Sequence, residues 1–254
     1  MNEFNKNNHK IIIIDFKTYI QKKYDDLDRF NCEMKHLKIF KQRKFLVPSI
    51  YETNQKNSII TLDFIEGNVY EKLDGKKVKN CIDILVKIIS VFGLEKNNNI
   101  EISKYITRVK ENILRFCIQN NLRYSEYDLK NNLEKLESLC FISLFKDAKP
   151  SNWIFQKNKV YMVDFDYVKK SFFMADLAQL LSYTNLKYTA YIKYFLKKLF
   201  PSNSRFDKFY NPFLIAVVNS NIASVLHNKK LSYDIKKDFD KTNKNILKQL
   251  SIIK

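Results

Sequence analysis

Residues 146–166 read KDAKPSNWIFQKNKVYMVDFD, and this stretch decides how the rest of the chain is understood. It sets Asp147 and Asn152 in a D-x-x-x-x-N spacing. Two short apolar strands follow, with a tight polar turn between them, and then a second acidic pair, Asp164 and Asp166. A hairpin of that length returns the chain on itself, so Asn152 and Asp164 are expected to lie side by side. One carboxylate to orient an attacking hydroxyl, with an amide oxygen and a second carboxylate to hold Mg²⁺ on phosphates, is the donor set that phosphoryl transfer from a nucleotide needs.

These residues resemble the protein-kinase-like superfamily. Asp147-Ala148-Lys149-Pro150-Ser151-Asn152 looks like the D-L-K-P-x-N catalytic loop of Ser/Thr kinases, and Val163-Asp164-Phe165-Asp166 stands where that family carries D-F-G. The pattern is closer to the small-molecule branch, of the aminoglycoside phosphotransferase and choline kinase type. There the second motif often reads I-D-F-D, and a D-L-A follows soon after, here Asp176-Leu177-Ala178. The stretch between Asp164 and Asp176 is too short for a regulated activation segment. The chain is also similar to spore-coat kinase-like proteins and lipopolysaccharide-sugar kinases. The resemblance implies that Asp147 is the catalytic base or the residue that orients the hydroxyl, that Lys149 touches the transferring phosphate, and that Asn152 and Asp164 ligate Mg²⁺, with Asp166 either a ligand to a second metal or a residue that supports the ligands. Asp176 would accept hydrogen bonds from the catalytic-loop backbone.

The N-terminal part fits less completely. Residues 19–24 read as a strand whose alternation puts Lys22 on one face with Ile20 and Tyr24. A helix is expected to start near the acids at 25–28, which suit a helix N-terminus, and it carries Glu33. By resemblance, Lys22 grips the α- and β-phosphates of ATP and Glu33 holds Lys22; Lys23 is the rival for that role. Two motif positions depart from the wider pattern: Phe145 stands where a His is usual, and Asp166 replaces the Gly of D-F-G. The larger departure is the missing glycine-rich loop. The chain has three glycines, Gly67, Gly75 and Gly93, and none precedes Lys22. At most, Asn residues at 5–8 could supply a turn.

Composition sets the outer bounds. A chain of 254 residues with 45% hydrophobic content, 20 Phe and 15 Tyr has material for a folded core. No apolar run approaches the length of a membrane span. The opening MNEFNKNNHK lacks the apolar stretch of a secretory signal, so a cytoplasmic location is expected. Cys32, Cys81, Cys117 and Cys140 are scattered without C-x-x-C spacing, as buried thiols in a reducing compartment would be. Three histidines, well separated, argue against zinc. A net charge of +18 favours an anionic acceptor and leaves peripheral membrane contact open. It disfavours a polycationic aminoglycoside, and no RNA or DNA motif accompanies it.

Outward from the motif, strand pairs are expected at 9–24 and 49–64, separated by a helix at 26–44 that stops before Pro48. Residues 62–67 resemble an interlobe hinge, with Gly67 letting the chain turn. Beyond it the chain reads as mostly helical, at 78–92, 103–120, 127–139, 176–185, 188–200, 212–227 and 234–252. The expected fold is α+β and bilobal: a small β-rich N-lobe with one helix (1–66) and a larger, mostly helical C-lobe (67–254). The function this implies is an ATP- and Mg²⁺-dependent phosphotransferase acting on a hydroxyl of a small molecule or glycan. The alternative is a pseudokinase-type binding or structural protein, which the absent glycine loop and Phe145 would favour.

Overall fold

The computed structural model describes residues 8–96, 99–119, 130–131, 133–134, 141–184, 188–202 and 207–227. The helix read at 234–252, most of that at 127–139, the turn at 5–7 and Cys140 lie outside these residues. The chain forms two compact units. The first combines the described residues up to Lys72 with Lys146–Lys169; the second combines Leu73–Phe145 with those from Lys170 onward.

The first unit is built on a four-stranded antiparallel sheet of β1 (His9–Ile14), β2 (Lys17–Lys23), β3 (Ile50–Asn54) and β4 (Ile59–Asp63), in the order β1-β2-β4-β3. The β1–β2 connection is two residues, Asp15 and Phe16, both left-handed (φ 48° and 62°). That is the geometry a two-residue hairpin demands, met here without glycine. Between β2 and β3 runs α1 (Leu27–Gln42), capped by Asp26, whose side chain accepts from the Asp28 N–H at 2.8 Å. Its inward stripe is Phe30, Glu33, Leu37 and Phe40, the three-to-four spacing of one helical face with a carboxylate set among apolar neighbours. Pro150–Asn152 make a 3-10 turn leading into the hairpin β7 (Trp153–Gln156) and β8 (Lys159–Met162). Phe165, just past β8, packs on Phe40 of α1 with ring centroids 4.9 Å apart.

The chain bends at Gly67 as expected, but something beyond the bend requires glycine at this residue. Its φ is not positive; among the described glycines only Gly93 has a positive φ. A Cβ at 67 would lie 2.6 Å from Ile154 Cγ2 and 2.8 Å from the Phe155 carbonyl oxygen. Close approach, not a turn, requires glycine there. The approach lets Asn68 exchange backbone hydrogen bonds with Phe155 at 3.0 and 2.9 Å.

The second unit holds α2 (Gly75–Phe92), α3 (Asn99–Gln119), α4 (Ala175–Ser182), α5 (Tyr188–Leu199) and α6 (Asp207–His227). Asp74 caps α2, and left-handed Gly93 (φ 86°) ends it. Two readings change. A small sheet of β5 (Glu95–Lys96), β6 (Phe141–Phe145) and β9 (Lys169–Phe172) interrupts the helices, its strands too short for a period of two to register. Helix α6 begins five residues before Pro212 rather than at it. Proline removes one helical hydrogen bond, yet the helix carries its buried run Phe213, Leu214, Ile215, Ala216, Val217 and Val218 past that point.

Candidate active site

Every candidate site residue belongs to the first unit. The β7–β8 register pairs Trp153 with Met162, and the Val163 N–H donates to the Asn152 carbonyl at 3.1 Å. The hairpin therefore sets Asn152 beside the residue that precedes Asp164. Below it, the buried Trp153 indole N–H donates to the Ala148 carbonyl at 3.1 Å and ties down the loop that carries Asp147. Asp147 and Asp164 both adopt left-handed backbone (φ 68° and 66°). For residues other than glycine that conformation costs energy, and it persists only where the surroundings hold it.

The side chains form a continuous line. Lys22 Nζ lies 2.5 Å from Glu33 Oε2 and 2.9 Å from Asp164 Oδ1. Lys149 Nζ lies 3.8 Å from Asp164 Oδ2 and 3.0 Å from Asp147 Oδ2. Asn152 Nδ2 donates to the Asp147 carbonyl at 2.7 Å and to Asp147 Oδ2 at 3.2 Å. Six of the seven candidates thus meet through contacts linking β2, α1, the 3-10 turn and the loop after β8. Lys22, not Lys23, faces Glu33: Lys22 is buried and Lys23 exposed. Asp166 turns instead to α1, where Arg29 holds it in an ion pair.

The electrostatics follow from burial and pairing. Burial alone would depress the Lys22 ammonium, but Glu33 and Asp164 outweigh it and hold it above the usual lysine range. For Asp164 burial pushes upward, while Lys22, Lys149 and Lys146 outweigh it and keep the carboxyl below the usual range. Glu33 is sealed on all sides, so burial pushes its carboxyl up against the pull of Lys22. Its Oε2 takes both Lys22 and the Tyr24 hydroxyl, and its Oε1 has no hydrogen-bond partner among the described residues. Burial and the Glu33 charge push the Tyr24 phenol far above its ordinary value, so it stays a donor.

Three participants escape sequence reasoning. Tyr24 could have been found from its alternation with Lys22, and Arg29 from its position one helical turn before Glu33. Lys146 gives no sequence signal. It is completely buried, with Nζ 4.8 Å from the Trp153 ring centroid, 5.4 Å from that of Phe165 and 3.4 Å from the Val163 carbonyl.

The donor chemistry suits Mg²⁺. Asn152 Oδ1 has only a weak contact with the Ser151 hydroxyl at 3.4 Å, and Asp164 offers hard carboxylate oxygens. Among the described residues no group of three or more His, Cys, Asp and Glu forms a metal cage. Magnesium needs none, because it takes one or two protein oxygens and fills its shell with phosphate and water.

No protein-family profile matches the sequence, and no curated protein does. Solved structures do match. Choline kinase LicA from Streptococcus pneumoniae is 18% identical, with 98% of this chain and 92% of that chain covered at a TM-score of 0.61. An aminoglycoside phosphotransferase from Alicyclobacillus acidocaldarius is 12% identical, with 100% and 90% covered at 0.60. Plasmodium vivax ethanolamine kinase is 15% identical, with 96% and 82% covered at 0.59. The chain has the protein-kinase-like fold shared by these small-molecule kinases.

Proposed function

We propose that this chain is an ATP- and Mg²⁺-dependent phosphotransferase acting on a hydroxyl group of a small molecule or glycan. The observation that carries the reading is the unbroken line Glu33–Lys22–Asp164–Lys149–Asp147–Asn152. Structures of similar fold include LicA with AMP and amicoumacin kinase with AMP-PNP, which supports a nucleotide as phosphoryl donor.

In this reading Lys22, oriented by Glu33 and Tyr24, neutralises non-transferring phosphates. Lys149 reaches the transferring group from between the two aspartates. Asp147 orients the acceptor hydroxyl and receives its proton as the new O–P bond forms and the bond to the leaving diphosphate breaks. Asn152 Oδ1 and Asp164 would hold Mg²⁺, which supplies positive charge to the phosphate oxygens when bound. Asp166, held by Arg29, serves to fix the loop rather than to ligate. The β1–β2 register puts Ile11, Ile13 and Ile20 on the same sheet face as Lys22. Ile11 and Ile13 are 53% and 73% exposed and offer an apolar surface to a purine. The charge of +18 favours an anionic acceptor.

The test is transfer of γ-phosphate to a panel of hydroxylated metabolites, paired with thermal shift. Nucleotide with Mg²⁺ should stabilise the protein by about 2.7 kcal/mol at a hundred times Kd. The second reading, a kinase-shaped protein without turnover, is favoured by the lack of any glycine before Gly67. It expects neither a metal-dependent shift nor product.

A further inference from the structure

The hairpin from His9 to Lys22 contains no glycine. A cradle of backbone N–H groups around phosphates needs the main chain to come very close to the ligand, which side chains obstruct. The first unit instead presents a side chain at that end of the sheet. His9 opens β1, and the register pairs it with Lys22. Directly opposed residues of an antiparallel pair project to the same face. Lys22 on that face is fixed between Glu33 and Asp164, so the His9–Lys22 end of the sheet lies against the acidic loop.

Three observations show that His9 belongs to this cluster. It is partly buried. It feels the charges of Lys22 on β2 and of Asp164 and Asp166 after β8, with Arg29 of α1 beyond, on Asp166. The backbone leading into it is anchored: left-handed Asn8 (φ 58°) accepts from the Lys23 N–H at 2.9 Å through its carbonyl and donates to Asp25 at 3.2 Å through its side chain. Burial and the Lys22 charge hold the imidazole below its usual range, and a neutral imidazole still carries one N–H donor.

We propose that His9 contacts the phosphates of the bound nucleotide through its ring N–H, beside the Lys22 ammonium. The inference rests on the nucleotide reading above and adds a residue to it. Lys22 grips the phosphates from one strand, and His9 donates from the neighbouring strand on the same face. The interaction is a hydrogen bond to an anionic oxygen, so the chain needs no close backbone approach there.

The experiment is calorimetric titration of the full chain with adenosine, ADP and ATP, each with Mg²⁺, comparing wild type, His9→Ala and His9→Asn. Loss of one hydrogen bond to a charged group should weaken ADP or ATP binding roughly tenfold or more in His9→Ala, with adenosine affinity unchanged. His9→Asn, which keeps an N–H donor, should recover part of the loss. Equal weakening of adenosine and ATP would overturn the proposal, since it would mean a packing defect. ATP affinity equal to wild type in His9→Ala would also overturn it and leave the nucleotide reading intact. Failure of the wild-type chain to bind ATP would overturn both.

Discussion

The two compact units keep their interiors together by different chemistry. In the second, aliphatic residues of α2, α4 and α6 are buried, as are the rings of Phe172, Phe173 and Phe195, with Phe173 centred 5.2 Å from Phe172 and 6.2 Å from Phe195. Among the described residues its buried polar groups are Ser143, Ser171, Asp176, Thr184 and Asn221, one charge among them. The first unit buries Lys22, Glu33, Lys146 and Asp166, and leaves one Glu33 oxygen without a partner among the described residues. Taking charges out of water costs several kcal/mol per ion even when they are paired. Apolar packing would stabilise a sheet and a helix more cheaply. Buried charge concentrated on one strand, one helix and two loops therefore points to a site retained for its chemistry. The second unit shows the packing of an ordinary core, and so reveals little about the acceptor.

The strongest challenge to this contrast is Asp147→Asn. Loss of the proton-accepting carboxylate should lower turnover about a thousandfold in a γ-phosphate transfer assay while the urea midpoint stays near wild type. Turnover at the wild-type rate would remove Asp147 from the mechanism.

A matched pair of truncations tests the division itself. Glu33→Ala leaves Lys22 short of its main counter-charge and should cost about 3–5 kcal/mol in urea unfolding. Phe173→Ala in the second unit should cost about the same through its cavity. Only Glu33→Ala should weaken nucleotide binding. If both variants weakened it equally, the chemical difference between the units would carry no functional meaning.

The pH dependence sharpens the same point on a smaller scale. Asp164 is held below its ordinary range. Its stabilising contribution is therefore present above the carboxyl's unfolded value and is lost as the pH falls through the lower folded value. Lys22, held above its range, loses its contribution only as alkaline pH rises through the folded value. The Tm difference between wild type and Asp164→Asn should be widest near neutrality and close towards acid; a gap that widened in acid would contradict the pairing. The smallest effect belongs to Arg29→Ala. The Arg29 side chain is 59% exposed but that of Asp166 only 9%, so losing the arginine costs a buried carboxylate one counter-charge, worth about 1–2 kcal/mol. Urea titration should show that small loss, and a loss several times larger would mean that Arg29 does more than steady Asp166.

Local signals read well from sequence for local reasons. The acids at the start of α1, the apolar run of β1, the alternation of β2 and the turn between β7 and β8 are all set within a few residues. The short strands β6 and β9 were missed because four or five residues give no usable period, and the start of α6 because Pro212 looked like a first-turn proline. The bend at Gly67 is legible locally, but the crowding that excludes a side chain comes from Ile154 and Phe155, far away in sequence.

What the sequence determined by itself is the type and order of most elements, and the motif residues with their spacing along the hairpin. Only the tertiary structure decided that Lys22 rather than Lys23 meets Glu33. It also brought Tyr24, Arg29 and Lys146 into the cluster, and joined Lys146–Lys169 to the unit that begins with the N-terminal sheet. The reason is physical. Periodicity and capping act over one or two turns of chain, whereas the Lys22–Asp164 bond spans 142 residues and the Arg29–Asp166 pair 137. Contacts of that range exist only once packing has removed the intervening water.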